Sequence, residues 1–156
     1  LQLLFRSISI TPEQIKEKEF VKEKEIKDGW EYLLDKKGKF VLDSNGKKIK
    51  VDKLITVSCE VYQFEQFKSA TVRAQVKFID YYSKKVIKSF PLRSQFDFEH
   101  SYASHRGDKR ALNKSYRELI SLKPMRFPSN EQMVYDAGTD LKRRLKRLIK
   151  RNKFRK

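Results

Sequence analysis

Nine residues constrain this chain more than any others. From Ala70 to Phe78, Ala70, Val72, Ala74, Val76 and Phe78 alternate with Thr71, Arg73, Gln75 and Lys77. An alternation of period two is the signature of a strand with one apolar and one wet face. Ile55, Val57, Cys59 and Val61 repeat the pattern just upstream. Val86 to Phe98 continues it downstream, with Pro91 inside. Proline cannot donate to a sheet ladder, so this third run bends at Pro91 or lies on an edge. Gln63 to Lys68 interrupts the alternation and is expected to turn the chain. Tyr81 to Lys85 is expected to be a polar connection. The stretch 54–98 therefore predicts an antiparallel meander of three strands whose buried face needs a helical cover.

Upstream, Leu1 to Ile10 reads as a strand. Thr11-Pro12-Glu13 ends it and resembles a helix start, with Thr11 as N-cap and Pro12 at the first position. A short helical turn and then an exposed edge strand near 19–26 are expected, the dense charge discouraging edge pairing. Asp28-Gly29 marks a turn. The segment 28–53 then carries Asp-x-x-Gly twice, eight residues apart, at Asp35–Gly38 and Asp43–Gly46. With short strands between, it reads as a β-hairpin excursion of SH3-like type. Asp43, Asn45 and Gly46 suggest part of a calcium loop, but no further ligand follows at the required spacing. Turn chemistry explains them better.

Downstream of the meander, Glu99 to Asp108 reads as a polar loop. Glu99, His100, His105 and Asp108 are the one local group that could assemble acid–base or metal chemistry, because both histidines of the chain lie there. Without a nearby cysteine or an H-E-x-x-H pattern, the reading is a polar loop, with Asp108 as N-cap of the next element. Catalytic residues, metal ligands and a cofactor are therefore not expected. Lys109 to Leu122 reads as one helix. Lys123 to Pro128 breaks it. Ser129 caps a last helix, with Gln132 as capping-box partner and Met133, Ala137, Leu141, Leu145 and Leu148 or Ile149 as its packing stripe. Gly138 weakens it slightly.

The fold class is thus α+β: a mainly antiparallel sheet with a small hairpin excursion and two C-terminal helices packed on one face. At 156 residues the chain fits one domain. Cys59, the single cysteine, sits on the inward side of its strand and reads as a buried, inert thiol. No run approaches the ~18 apolar residues of a membrane span.

The net charge of +17 is unevenly distributed. Residues 1–100 hold 20 Lys/Arg against 15 Asp/Glu, whereas residues 101–156 hold 17 against 5. Lys142, Arg143, Arg144, Lys146, Arg147, Lys150, Arg151 and Lys153 lie in a run without acids from Leu141 onward. They suit a solvated helix end favoured by the macrodipole, nucleic-acid phosphate or an anionic lipid surface. Residues 150–156 are expected to fray. Phe154 is the one aromatic in the run, and no RNP-type, zinc-finger or recognition-helix pattern accompanies it.

Lys24-Glu25-Ile26-Lys27-Asp28-Gly29-Trp30-Glu31-Tyr32, followed by Asp35…Gly38 and Asp43-Ser44-Asn45-Gly46…Ile49-Lys50, resembles the C-terminal region of uncharacterised envelope lipoproteins of Bacteroidetes-type bacteria. Phe98-Glu99-His100…Gly107-Asp108-Lys109-Arg110-Ala111-Leu112 and Phe127-Pro128-Ser129 fit the same pattern. A fold-level analogy extends to curli-secretion-type assembly lipoproteins. The resemblance implies a Gram-negative envelope setting and a longer protein whose N-terminal lipid anchor and helical region precede this chain. It carries no activity. The expectation is a non-enzymatic binding or scaffolding module with a protein partner. Binding of nucleic acid or anionic lipid through the C-terminal helix is the alternative, and an enzyme built on Glu99, His100, His105 and Asp108 stands third.

Overall fold

The computed structural model describes residues 1–152. Four strands come first: β1 (Gln2–Ile10), β2 (Gln14–Tyr32), β3 (Lys50–Ile79) and β4 (Val86–Gly107). A 3-10 turn (Lys109–Ala111), helix α1 (Lys114–Ser121) and helix α2 (Asn130–Arg151) follow. β3 is the organising strand, since β1, β2 and β4 all pair with it. The α+β class holds, with a mainly antiparallel sheet and two C-terminal helices.

The meander is two long strands rather than three short ones. The expected turn at 63–68 does not form, because β3 runs straight through it for 30 residues. Those residues lack the Gly, Pro, Asn or Asp that a tight turn needs. Gln66, Lys68 and the following Ser69 are buried strand residues, each with a partner. Gln66 donates to the Met125 carbonyl at 2.8 Å and accepts from the Met125 N–H at 3.0 Å. Lys68, 4% exposed, donates to the Pro128 carbonyl at 2.8 Å and pairs with Glu13 at 3.4 Å. Ser69 donates to Asp97 at 2.5 Å. What the sequence shows at 63–68 is a change of parity. Buried positions of β3 are odd-numbered at 57–61 and, apart from Ser69, even-numbered at 66–76.

The chain divides into two compact units, each with its own core. One comprises 1–16, 65–100 and 124–156. In it β1 pairs antiparallel with β3, Leu3 opposite Val76 and Ile10 opposite Ala70, with a bulge at Arg6. α2 lays Ala137 and Leu141 on Val72, Ala74, Val76 and Leu92, while Leu145 and Leu148 pack at the margin. The expected stripe packs, ending on Leu148, while Ile149 is exposed. Ser129 caps α2 by accepting from the Gln132 N–H at 3.1 Å. The reciprocal half of the capping box is replaced, as the Gln132 amide donates to Asp136 instead. Lys150 and Arg151, expected in a frayed tail, still belong to the helix.

The other unit comprises 17–64 and 101–123. Val57, Cys59 and Val61 pack with Ala103, Ala111 and Leu112, flanked by Phe20, Ile26, Tyr116 and Leu119. Lys109–Leu122 is not one helix. Asp108 caps the 3-10 turn, Leu112 is extended and 1% exposed in the core, and Asn113 caps α1 by accepting from the Tyr116 N–H at 3.0 Å. An asparagine inside a helical run competes for the backbone and so starts a new helix.

Two further expectations fail along β2. The residues after Thr11-Pro12-Glu13 are strand, not a helical turn. Asp28-Gly29 is not a reversal, because the strand continues to Tyr32 with Gly29 at φ +84°. The reason lies in the charges. From Lys16 to Glu25 lysines occupy even positions and glutamates odd ones, a period-two pattern. Phe20 and Ile26, also even, reach the core.

Candidate binding surfaces

Four regions carry the chemistry. The first is the basic end of α2. Lys142, Arg143, Arg144, Lys146, Arg147, Lys150 and Arg151 are all exposed, and Lys153 lies outside the described residues. Two of them are not available as isolated cations. Asp140 accepts from Arg144 at 2.6 Å and pairs with Arg143 at 3.7 Å, while also accepting from Ser94 at 2.8 Å. The Arg144 hydrogen bond, then that of Ser94, holds the Asp140 carboxyl below its usual range.

The second is the 99–108 stretch, which is strand rather than loop as far as Gly107. The run has no turn residue before Gly107, and Ala103 is drawn into the core. Glu99 and His100 belong to one unit and His105 and Asp108 to the other. The Asp108 carboxylate caps Arg110 at 2.8 Å and takes its guanidinium in a fork at 2.7–3.1 Å. That guanidinium depresses the Asp108 pKa. Among the described residues no group of three or more His, Cys, Asp or Glu could hold a metal. Cys59 is fully buried, and burial pushes its thiol pKa up, so it is a poor nucleophile.

The third is the 28–53 excursion. Between the end of β2 at Tyr32 and the start of β3 at Lys50 it is held by isolated bridges, Leu34 to Phe40 and Leu42 to Lys48. Its two turns are built alike. Asp35 Oδ1 accepts from the N–H of Lys37 (2.8 Å) and Lys39 (2.9 Å), and Asp43 Oδ1 from those of Asn45 and Lys47 at the same distances. Both carboxylates serve the turns, which is the chemistry expected in place of calcium. Between the turns the backbone closes on itself. Val41 N–H donates to Leu33 C=O (2.9 Å), Ile49 N–H to Val41 C=O (3.1 Å) and Leu33 N–H to Ile49 C=O (2.9 Å). The three residues are eight apart, so the excursion is a three-fold pseudo-symmetric ring.

On that ring sits an aromatic cluster that sequence reading missed. Trp30 and Tyr32 lie 5.1 Å apart, and Tyr32 and Phe40 5.6 Å apart, edge to face. Lys48 Nζ is 3.8 Å from the Phe40 centroid, and Lys50 Nζ is 3.7 Å from that of Trp30. The signal was present. Continuing the eight-residue repeat once more places Tyr32, Phe40 and Lys48 in equivalent positions.

The fourth region is β2. Among the described strands it pairs with β3 alone. Lys22 stands over the rings of Phe20 and Tyr116, and Lys27 pairs with Asp52 at 2.5 Å. No described helix is long and apolar enough to cross a membrane. Comparison with protein-family models, with curated proteins and with solved structures returns no match.

Proposed function

We propose that this chain is a non-enzymatic binding or scaffolding module of the bacterial cell envelope, and that it receives an extended segment of a protein partner along the outer edge of β2. The envelope setting rests on the resemblance to lipoproteins. One observation supports the docking mode. β2 is a 19-residue edge strand in which every side chain but Phe20 and Ile26 is exposed. Such an edge offers a row of backbone donors and acceptors for strand addition. Lys16, Lys18, Lys22 and Lys24 line one face, and Glu17, Glu19, Glu23 and Glu25 the other. A two-fold antiparallel pairing of two β2 edges would set lysine beside lysine and glutamate beside glutamate, which is destabilising. The charges therefore oppose a closed dimer and favour a partner strand with acids on one face and bases on the other.

Immobilised protein is expected to retain an envelope protein in high salt, and a variant with Glu17, Glu19, Glu23 and Glu25 changed to lysine is expected to release it. Recovery of salt-labile polyanions alone would sink the reading.

A second reading is polyanion binding by α2. Lys142, Lys146, Arg147, Lys150 and Arg151 are exposed and are not members of Asp140's ion pairs. Glutamine at these five positions leaves Leu141 and Leu145 packed, unlike truncation after Asp140. Lost binding to nucleic acid with a shallower salt dependence supports this reading; unchanged binding ends it.

A further inference from the structure

We propose that the ring at 30–50 is a membrane-surface contact, which seats its aromatic and leucine side chains among the headgroups of an anionic bilayer. The ring takes in the last residues of β2, Trp30 to Tyr32, but the proposal rests neither on strand addition along that strand nor on binding by α2.

Four large apolar side chains of the ring are left half in water: Trp30 at 52%, Leu34 at 51%, Phe40 at 49% and Leu42 at 54% exposed. They occur within thirteen residues, and Tyr32 and Leu33 beside them are also exposed. Scattered apolar residues on a surface need no explanation, but a cluster rimmed by one sign of charge does. The rim here is lysine: Lys36, Lys37, Lys39, Lys47, Lys48 and Lys50, all exposed.

Residues 30–50 hold these six lysines against three acids, Glu31, Asp35 and Asp43, so the ring carries a net positive charge. Asp35 and Asp43 each accept two backbone N–H groups inside the turns. Asp28 lies 3.7 Å from Arg110, and Asp52 is paired with Lys27. The surface that remains is cationic and apolar together.

That combination matches one chemistry. Tryptophan and tyrosine favour the headgroup level, where an apolar body and a polar tip are both accommodated. Lysines on long stems keep their ammonium groups in the phosphate layer while apolar neighbours enter it. Each lysine near an anionic surface adds attraction that salt screens. Single-stranded nucleic acid fits less well. It needs open ring faces for stacking, whereas ammonium groups cover one face each of Trp30 and Phe40 at under 4 Å. Leu34 and Leu42 would have no role with bases.

Trp30 is the only tryptophan, so the chain carries its own reporter. Vesicles of phosphatidylcholine, with and without about one third phosphatidylglycerol, are titrated with protein while Trp30 emission is followed, with bromine-labelled acyl chains as quenchers. A blue shift and quenching are expected with the anionic vesicles and not with the neutral ones. The double variant Phe40→Ala, Leu42→Ser, whose sites are exposed, should weaken binding by about tenfold or more, from the apolar area removed. The five-fold glutamine variant of α2 should leave Trp30 quenching in place. Binding to anionic vesicles with unchanged Trp30 emission would assign the contact to another element and overturn the proposal. So would the absence of vesicle binding, or a Trp30 response to oligo-dT alone.

Discussion

Ser94 Oγ donates to Asp140 Oδ2 across 2.8 Å, and this bond ties the middle of β4 to the middle of α2. Ser94 is 1% exposed, so its hydroxyl has no water to turn to. The same carboxylate oxygen accepts from Arg144 at 2.6 Å. Asp140 therefore anchors the helix on the sheet and also fixes the start of its basic face.

The pH dependence follows. Arg144 and Ser94 hold the folded-state pKa of Asp140 below its ordinary value of 3.8, and Arg110 does the same to Asp108. A depressed carboxyl contributes stability that is fully present above the unfolded-state value and is lost as pH falls through the folded one. As far as these two carboxyls decide it, thermal stability is thus expected to be flat from about pH 5 to about pH 8 and to fall below about pH 4. Asp140→Asn should cost about 1–3 kcal/mol at neutral pH and flatten the acid limb. A titration of Tm against pH in both proteins checks this, and an acid limb identical in the two would refute it.

Gly107 ends β4 at φ +109°, and a Cβ built there would lie 2.7 Å from the Ser58 carbonyl oxygen and 3.2 Å from Cys59 Cα. Both obstacles are backbone and cannot swing away. Gly107→Ala is expected to destabilise the unit that holds Cys59 by about 1–3 kcal/mol, read from denaturant midpoints. A midpoint equal to that of the parent protein would contradict the close approach.

Gly138 offers the opposite case. It sits inside α2 with nothing within 4 Å of a built Cβ. Gly138→Ala should stabilise by about 0.5–1 kcal/mol through helix propensity alone. Calorimetry would show a raised Tm, and a lowered one would mean that the helix packs more closely there than described.

Leu112 fills the core of its unit from an extended residue between the 3-10 turn and α1. Leu112→Ala should cost about 2–5 kcal/mol. Amide exchange should accelerate first at Val57–Val61, in the same cluster. Acceleration confined instead to β1 and α2 would show that the two cores are not separate.

Much of this architecture was legible in the sequence, and the failures share a cause. The alternation at 70–78 and the stripe from Met133 to Leu148 were read correctly because apolar residues carried them. β2 was read only in part, as an exposed edge strand near 19–26, because its period is written in charge. Lysine and glutamate sort onto opposite faces as strictly as valine and threonine, but a search for apolar periodicity passes over them. At 63–68 a shift in which residues face inward was read as a turn, since both interrupt alternation. Only partners distant in sequence, Met125, Pro128 and Asp97, show that Gln66, Lys68 and Ser69 stay in the strand. The aromatic cluster was hidden because its third member is a lysine, and the repeat was followed through its turns rather than through Tyr32, Phe40 and Lys48.

The backbone ring of Leu33, Val41 and Ile49 also limits how this region can vary. Each of its three hydrogen bonds joins a different pair of segments, so no two segments are complete without the third. Deleting eight residues leaves two groups unpaired, and inserting eight offers a fourth segment with no place in the circle. Sequence can drift at the turn tips and on the exposed side chains, but the count of three is fixed by closure, as the number of strands is in a sealed barrel.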